Sequence, residues 1–569
     1  MPFPAPISED IWQQKYRHAD EAAIEDTWRR VAVAVAAAEP EDRDTWADHF
    51  FRLLAGFRFL PGGRILANAG TGHSATLLNC FVMGALDDSI EGLFGALQES
   101  AVTLQAGGGI GLDVSPIRPA GAAAKRTGNV ASGPVSFMHL WDAMCETITA
   151  DRSRRGAMMG VLRCDHPEIE TFITAKADGT RLTRFNLSVL ITDEFVKAVE
   201  ADAGWPLVFA GRTHATLKAR TLWDTILRSA YETGEPGVLF IDRINRENNL
   251  GYAETIHACN PCGEVPLPPY GACDLGSLNL AAFVARPFSP EAALDFDALR
   301  AAIPLAIRFL DNVLDVSHFP LPQQADAAHK ARRVGLGLTG LADALVMLGL
   351  AYDSEDGRAF TARVLETMRD SAYAASIALA GEKGSFPAFR IEDYLTRPFI
   401  RRLPEELQDG IARTGIRNSH LLAIAPTGSI SLLAGNVSAG IEPVFAARQQ
   451  RLLREGLGEP EAEELRDYAW GLWKDAGHSG TGPPAFVTAT ELSADAHLAM
   501  QAAAQPFVDN AISKTINVRH DLPFEDFGNV YLRAYQLGLK GCTVYRQGSR
   551  GEDVLTAVEE GAYCTRDIC

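Results

Sequence analysis

The sequence predicts an α/β protein in which strands alternate with helices. Short apolar runs rich in strand-forming residues lie at 76–83, 185–191 and 237–242. Helical patterns separate them, and two long ones follow around 296–316 and 353–381. Alternation of this kind is typical of a sheet covered by helices.

The N-terminal region reads as helical from residue 7 to about residue 56, with alanine-rich and charged faces. No chemistry is assigned to it. We treat residues 1–75 as a helical region that precedes the strands.

Composition bounds the class of protein. Hydrophobic residues make up 47% of the 569-residue chain and charged residues 22%, as in ordinary globular proteins. A net charge of −19 argues against nucleic acid as a partner, which would require a basic face. The N-terminus lacks the features of a secretory signal, and no apolar run is long enough to cross a membrane, so a cytoplasmic location is expected. Nine cysteines in such a chain favour catalytic or redox use over a disulfide scaffold.

The most informative stretch is 259–280, CNPCGEVPLPPYGACDLGSLNL. Its Pro and Gly residues exclude a regular helix, so Asn260, Cys262 and Glu264 are expected on a constrained loop. Alternate residues of an extended tip point to one side. An amide, a sulfur and a carboxylate should therefore meet one small substrate.

Two other interpretations of this stretch remain open at this point. Cys259 and Cys262 have the C-x-x-C spacing of a redox pair, which usually lies at a helix start. They could also form half of a zinc site, but the nearest second close pair of cysteines is at the C-terminus.

A second motif, GGGIG at 107–111, ends a predicted helix. Asp87, Asp88 and Ser89 are predicted to cap that helix, whose apolar positions should fall mostly on one face: Ile90, Leu93, Phe94, Leu97 and Leu104. No further Gly completes G-x-G-x-x-G, which argues against a dinucleotide fold. The glycines allow either a close backbone approach to another group or a tight turn.

A third motif, HLLAIAPTGSIS at 420–431, reads as an apolar strand that enters a Pro-Thr-Gly-Ser turn and then a helix. Free amides at a helix start bind anions, with hydroxyls as added donors. The alternative is a plain N-cap by Thr427. No lysine follows the glycine, so the turn is not a P-loop.

Together these motifs resemble those of ribonucleotide reductases, in particular the adenosylcobalamin-dependent class II form. The resemblance rests on NPCGE at 260–264, the GGGIG and APTG motifs, GIEP at 440–443 and LKGCTVYRQGSR at 539–550, in that family's order. It implies a ten-stranded α/β barrel of two parallel five-stranded halves with a central finger loop. The barrel is expected over 76–547, after the N-terminal helical region and without an activity-regulating cone. A flexible tail with a redox cysteine pair is expected over 548–569.

The resemblance also implies the site residues. Cys262 would carry a thiyl radical, Glu264 would act as general base and Asn260 would hold the sugar. Cys80 and Cys273 would become a disulfide, which Cys564 and Cys569 would reduce in turn. Substrate would be bound by Asn79, Gly109, Pro426, Thr427, Gly428, Ser429 and Ile430, and an effector by Asp88, Arg155, Asp178 and Arg181. No metal ligands are predicted.

The radical source follows from one difference within the family. The resemblance implies that class I large subunits carry two adjacent tyrosines in the region that corresponds to 539–550, and this chain has only Tyr545 there. Adenosylcobalamin is therefore the expected cofactor. The cobalamin-binding motif D-x-H-x-x-G does not occur in the sequence, and the nearest run is DAHLAM at Asp495. The alternatives are a class I-type subunit that needs a metal-bearing partner, a non-catalytic zinc or disulfide interaction protein, and a degenerate regulator.

The expected reaction is that of a ribonucleoside-diphosphate reductase, although the sequence does not distinguish diphosphate from triphosphate substrates. The expected partners are the ribonucleotide, deoxynucleotide or ATP effectors, a thioredoxin- or glutaredoxin-like reductant and a second copy of the chain.

Overall fold

The N-terminal helices form because their apolar residues recur at helical spacing. The structure, a computed structural model, describes residues 3–122, 131–149, 156–453, 461–549, 555–557 and 563–564. Its first elements are α1 (Pro6–Lys15), α2 (Ile24–Ala36), α3 (Arg43–Leu54), β1 (Phe59–Pro61) and α4 (Gly63–Asn68), with a 3-10 turn at Ala55–Phe57. Trp28, Val31 and Val35 of α2 share one buried face, and Trp28 packs edge-on against Phe57. This region is helical, as predicted.

The first half of the barrel follows. Its elements are β2 (Cys80–Val82), α5 (Ile90–Gln105), β3 (Gly109–Asp113), α6 (Pro134–Thr149), β4 (Met158–Arg163), α7 (Ile169–Ile173), β5 (Phe185–Ile191), α8 (Asp193–Glu200), β6 (Gly204–Phe209), β7 (Arg212–Lys218), α9 (Ala219–Thr233), β8 (Gly237–Phe240) and α10 (Ile241–Arg246). Strands β2, β3, β4, β5 and β8 pair in parallel in that order. Strands β6 and β7 form a separate hairpin.

The next part of the chain consists of a short hairpin, formed by β9 (Ala258–Cys259) and β10 (Pro266–Leu267), and the second half of the barrel. The first elements of the second half are β11 (Ala272–Asn279), β12 (Val284–Ala285), β13 (Ala293–Leu294), α11 (Phe296–Val316), α12 (Pro322–Ala331), β14 (Val334–Thr339), α13 (Leu341–Met347), α14 (Glu355–Lys383), α15 (Ile391–Tyr394), α16 (Pro398–Arg401), α17 (Glu405–Thr414) and α18 (Gly428–Leu433), with a 3-10 turn at Leu280–Phe283. The last elements are β15 (Arg448–Leu453), β16 (Glu461–Arg466), α19 (Tyr468–Asp475), α20 (Ala494–Ala504), β17 (Thr515–Val518), α21 (Phe524–Gln536), β18 (Gly541–Arg546), β19 (Leu555–Ala557) and β20 (Tyr563–Cys564), with a 3-10 turn at Gln505–Phe507.

The sheet closes into a ring. Strand β11 pairs in parallel with β14, and single parallel bridges join β14 to the extended segment 421–425 and that segment to the chain before β17. Strand β17 pairs in parallel with β18. The two halves meet through antiparallel pairs, β2 with β11 and β8 with β18. Ten extended segments in two parallel halves of five thus form the predicted barrel.

Burial follows the rule for parallel sheets covered by helices. Every residue of β11 and β14 is buried, and so is every residue of β5 except Asn186. The Gly-rich segment 335–350, to which no chemistry is assigned, contains most of β14 and all of α13. Within the part of the chain that the structure describes, no helix is long and apolar enough to span a membrane.

Helix α5 departs from the prediction in two ways. Ser89 alone is the N-cap and accepts a hydrogen bond from the Gly92 amide, whereas Asp88 pairs with Arg118. The side chains of Ile90 and Phe94 are 60% and 50% exposed, so the predicted apolar face does not lie wholly in the core. Helix periodicity identifies a face but not what covers it.

The tail contributes two short strands. Strand β19 pairs with β15, and β20 pairs with β19, so that Leu555 lies opposite Cys564 in the register. Cys569 lies outside the described residues. The flexibility of the tail remains a prediction.

Candidate active site

The hairpin of β9 and β10 carries the central loop into the barrel. Its strands pair Cys259 with Pro266, and the Asn260 amide donates to the Val265 carbonyl at 3.2 Å. The Gly263 amide donates to the Asn260 carbonyl at 3.1 Å. Gly263 has φ +83°, a backbone conformation that glycine adopts without strain. The tip is thus a tight turn, whereas the sequence predicted a more extended loop. The prediction that no helix runs through this stretch is correct.

Contacts from both halves of the barrel fix the tip. Asn186 of β5 donates through Nδ2 to the Pro261 carbonyl at 2.9 Å. The Ala511 amide, next to β17, donates to the Glu264 carbonyl at 2.9 Å. A Cβ on Gly111 of β3 would lie 2.0 Å from the Cys259 carbonyl oxygen. Only glycine allows this approach, so the Gly-rich run makes room for the hairpin.

Asn260, Glu264 and Cys80 form one contact group. Asn260 donates through Nδ2 to the Cys80 sulfur at 3.2 Å and accepts at Oδ1 from the Val265 amide at 2.9 Å. The Cys80 thiol lies 3.8 Å from Glu264 Oε1 and points a weak donor at it. Asn260 is therefore held in a fixed orientation beside both a thiol and a carboxyl.

Glu264 is an unusual carboxyl because its side chain is 1% exposed. Its Oε2 atom has no hydrogen-bond partner among the described residues. Burial raises the pKa of Glu264 to about 7, and hydrogen bonds from Asn260 and Cys80 limit the rise. A group of this kind can accept a proton near neutral pH.

Cys80 and Cys273 lie opposite each other in the antiparallel pair of β2 and β11. Opposite residues of such a pair have Cα atoms roughly 4.5 to 5.5 Å apart, a separation that a disulfide can span. Both residues are buried and neither is part of a disulfide. Burial raises the pKa of Cys273 well above its ordinary value. The barrel therefore brings together two reduced cysteines from its two halves.

A cavity of 600 Å³ collects the predicted residues. Cys262, Asn260, Glu264 and Cys80 line it, whereas the fully buried Cys273 does not. The predicted substrate residues Asn79, Gly109, Pro426, Thr427, Gly428, Ser429 and Ile430 all line it as well. The thiols of Cys262 and Cys80, the Glu264 carboxyl and the APTG turn thus line one cavity.

The APTG turn is more than a helix cap. Thr427 has φ +52° and precedes α18, but its hydroxyl forms no capping bond. That hydroxyl lies 3.0 Å from Thr339 Oγ1 and accepts from the Gly440 amide at 3.0 Å. The plain N-cap interpretation is therefore wrong, and the threonine instead ties the turn to β14 and the GIEP segment.

Sequence reasoning missed the contribution of the N-terminal helices to this cavity. Lys15 and Tyr16 at the end of α1 and Arg64 of α4 line it. The Tyr16 hydroxyl donates to Ser429 Oγ at 2.6 Å. No local pattern could have found these residues, because single polar residues at helix ends carry no motif.

The predicted effector residues take part in local ion pairs. Arg118 Nε lies 2.7 Å from Asp88 Oδ2, and Arg181 Nε lies 3.0 Å from Asp178 Oδ2 on an exposed loop. The Thr180 amide, which donates to Asp178 at 3.0 Å, lowers the pKa of that carboxyl. Arg155 lies outside the described residues.

A second cavity of 280 Å³ also reaches Cys262. Its lining includes Asn186, Glu442 and Lys514. Lys514 is buried, with Nζ 2.5 Å from Glu442 Oε2 and 2.9 Å from Nδ1 of His497. Burial lowers the pKa of His497 well below its ordinary value. His497, the histidine of DAHLAM, is therefore part of a buried hydrogen-bond network.

The zinc interpretation lacks a ligand set. Among the residues that the structure describes, no three His, Cys, Asp or Glu side chains are grouped to hold a metal ion. Cys259 is fully buried in the hairpin, and burial raises the pKa of its thiol, whereas Cys262 faces both cavities. The two cysteines thus occupy different environments.

Comparison with known proteins gives a consistent result. Residues 78–545 match the family model described as ribonucleotide reductase, barrel domain, and residues 3–74 match ribonucleotide reductase, all-alpha domain. A Mycobacterium tuberculosis "Vitamin B12-dependent ribonucleoside-diphosphate reductase" is 40% identical over 550 residues, which cover 93% of this chain and 76% of the relative. A Thermoplasma acidophilum protein with the same name is 37% identical over 90% of this chain and 66% of its own length. A Chlamydia pneumoniae "Ribonucleoside-diphosphate reductase subunit alpha" is 27% identical over 90% of this chain and 56% of its own length. The chain belongs to the ribonucleotide reductase family.

Proposed function

We propose that the chain reduces ribonucleoside diphosphates to 2′-deoxyribonucleoside diphosphates, with adenosylcobalamin as the source of the radical. The observation that carries this proposal is the hairpin tip inside the closed barrel, where Cys262, Asn260, Glu264 and Cys80 line one cavity. The names of the relatives at 40% and 37% identity support both the diphosphate substrate and the cofactor.

Cys262 is the proposed carrier of the radical. As a thiyl radical it removes the hydrogen atom from C3′ of the ribose. Glu264 accepts the proton of the 3′ hydroxyl, for which a pKa of about 7 suits it near neutral pH. Asn260, whose amide oxygen is held by the Val265 amide, orients the carboxyl and the sugar.

Cys80 and Cys273 supply the electrons. One thiol gives the proton with which the 2′ hydroxyl leaves as water, and the pair ends as a disulfide. In balance, a ribonucleotide and a dithiol become a deoxyribonucleotide, a disulfide and water. The opposed register of the two residues across β2 and β11 supports a bond between them without a change in strand pairing.

The second cavity suits part of the cofactor. Two buried acceptor atoms that face it, Gln449 Oε1 and Asn517 Oδ1, have no partner among the described residues and could accept hydrogen bonds from amide or amine groups. Asn186 would add a donor, because only one of its two Nδ2 hydrogens is used in the bond to the Pro261 carbonyl. Adenosylcobalamin, when bound, supplies an organic radical by homolysis of its cobalt–carbon bond. Cys262 borders both cavities, so it can exchange a hydrogen atom on one side and meet the substrate on the other.

The terminal cysteines are the proposed route for electrons from outside. Cys564 and Cys569 would reduce the Cys80–Cys273 disulfide by thiol exchange and would be reduced in turn by a thioredoxin- or glutaredoxin-like protein. We place this chemistry in the cytoplasm, where thiols are kept reduced.

Regulation and assembly form the last part of the proposal. A deoxynucleotide or ATP effector would bind near Asp88, Arg155, Asp178 and Arg181. The helix that follows Asp88 supports pairing with a second copy of the chain, since Ile90, Phe94 and Val102 of α5 and Leu140 of α6 are large exposed apolar side chains.

The test is a reaction under anaerobic conditions with the purified chain, a ribonucleoside diphosphate, a small dithiol and adenosylcobalamin. Formation of deoxyribonucleotide without a second protein is the expected result. Product that forms only when a metal-bearing subunit is added would favour the class I alternative. No product with diphosphates or triphosphates, with effectors added, would refute the proposal.

A further inference from the structure

The charges that line the 600 Å³ cavity differ in sign from the chain as a whole. The protein has a net charge of −19. Yet among the described residues that line the cavity, Lys15, Arg64 and His73 are basic and Glu264 is the one acid. A local group of cations in an acidic protein indicates an anionic ligand.

Helix α1 holds Lys15 beside the APTG turn. Lys15 is the last residue of α1, and the next residue, Tyr16, donates to Ser429 Oγ at 2.6 Å. Near the start of α1, Ser8 Oγ donates to the Leu432 carbonyl at 3.0 Å. Helix α1 is therefore fixed against α18 at both of its ends.

Arg64 approaches the same cavity from α4. Its guanidinium packs on the backbone of Gly107, where an added Cβ would lie 3.0 Å from Nη1. Gly107 begins the Gly-rich run that leads to Gly109 on the cavity wall. Arg64 thus reaches the cavity wall from α4, whereas Lys15 reaches it from α1.

We infer that Lys15 and Arg64 bind the diphosphate group of the substrate, so that the N-terminal helical domain forms part of the substrate site. This inference rests on the proposed function. The backbone amides and Ser429 of the turn offer neutral donors, whereas a diphosphate carries several negative charges. Hydrogen bonds between ionised partners are about twice as strong as neutral ones, and arginine matches phosphate geometry with two donors.

The test measures the binding of CDP and of cytidine by calorimetry, without cofactor or turnover. Lys15→Gln and Arg64→Gln should each weaken CDP binding by roughly tenfold or more, the usual effect of losing a hydrogen bond to a charged group. Cytidine binding should stay unchanged, because the nucleoside has no phosphate. Arg64→Lys should recover part of the CDP affinity, and the affinity of both glutamine variants should depend less on salt.

Arg17→Gln is the matched control. Arg17 follows the same helix, donates to the Glu21 carbonyl at 2.7 Å and does not line the cavity. Unchanged CDP affinity in both cavity variants would overturn the inference, and so would an equal loss for CDP and cytidine. Failure of the unsubstituted chain to bind CDP would overturn the proposed function, and the inference with it.

Discussion

The pH dependence of the reaction should report the buried carboxyl of Glu264. The general base must be ionised to accept the 3′ proton, and burial raises its pKa from an ordinary 4.5 to about 7. Activity should therefore rise with pH through about 7. Glu264→Gln removes the base, so it should lower the plateau rate above pH 7 by about 100-fold or more, the usual contribution of a general base, and leave a rate that no longer rises with pH.

The size of the effect follows from the shift. With a pKa of about 7, about 1% of Glu264 is ionised at pH 5, whereas an ordinary carboxyl would be about three-quarters ionised there. The value of kcat/KM at pH 5 should thus be about 100-fold below its plateau.

The raised pKa of Glu264 also affects folding, because the folded chain binds this proton more tightly than the unfolded chain. The stability that this provides is fully present below pH 4.5, and about 3 kcal/mol of it is lost as pH rises to about 7.

The assay is a single turnover of chain that has been reduced beforehand, so that titration of the external reductant plays no part. Deoxynucleotide is measured from pH 5 to pH 8 at low substrate concentration, where the rate reports the free enzyme. Glu194→Gln, on the exposed surface of α8, is the control and should follow the unsubstituted profile. A profile that is flat from pH 5.5 to pH 8 would refute the assignment of Glu264 as a buried base.

Three further substitutions test the other parts of the proposal. Cys262→Ser should abolish deoxynucleotide formation and leave CDP binding within a few-fold of normal, as measured by calorimetry; substantial turnover would exclude the thiyl role. Cys564→Ser should stop multiple turnovers with a protein reductant and spare those with a small dithiol; equal loss with both reductants would argue against the shuttle. Phe94→Asp should shift the chain from dimer to monomer in analytical ultracentrifugation, because it buries a charge in the proposed contact. The control Leu472→Asp on α19 should leave the dimer intact, and a dimer that survives Phe94→Asp would place the contact elsewhere.

Much of the candidate site could be predicted because its residues are close in sequence. Asn260, Cys262 and Glu264 share one turn, and a short Pro- and Gly-rich segment has few conformations available. The APTG turn was identified for the same reason, although the sequence could not tell where the Thr427 hydroxyl bonds. The pairing of Cys80 with Cys273 needed the family resemblance, because nothing local to either cysteine identifies its partner.

The local chemistry can be predicted from the sequence alone: a thiol, an amide and a carboxyl on a loop, a turn of the type that can bind phosphate, and strands that alternate with helices. Which distant groups meet depends on the tertiary structure. Barrel closure sets β2 against β11 and so aligns Cys80 with Cys273, and the packing of α1 and α4 brings Lys15, Tyr16 and Arg64 to the cavity. The exposure of Ile90 and Phe94 is likewise a tertiary outcome. The physical reason is that periodicity and turn chemistry act over a few residues, whereas burial and charge environment depend on elements far apart in the chain.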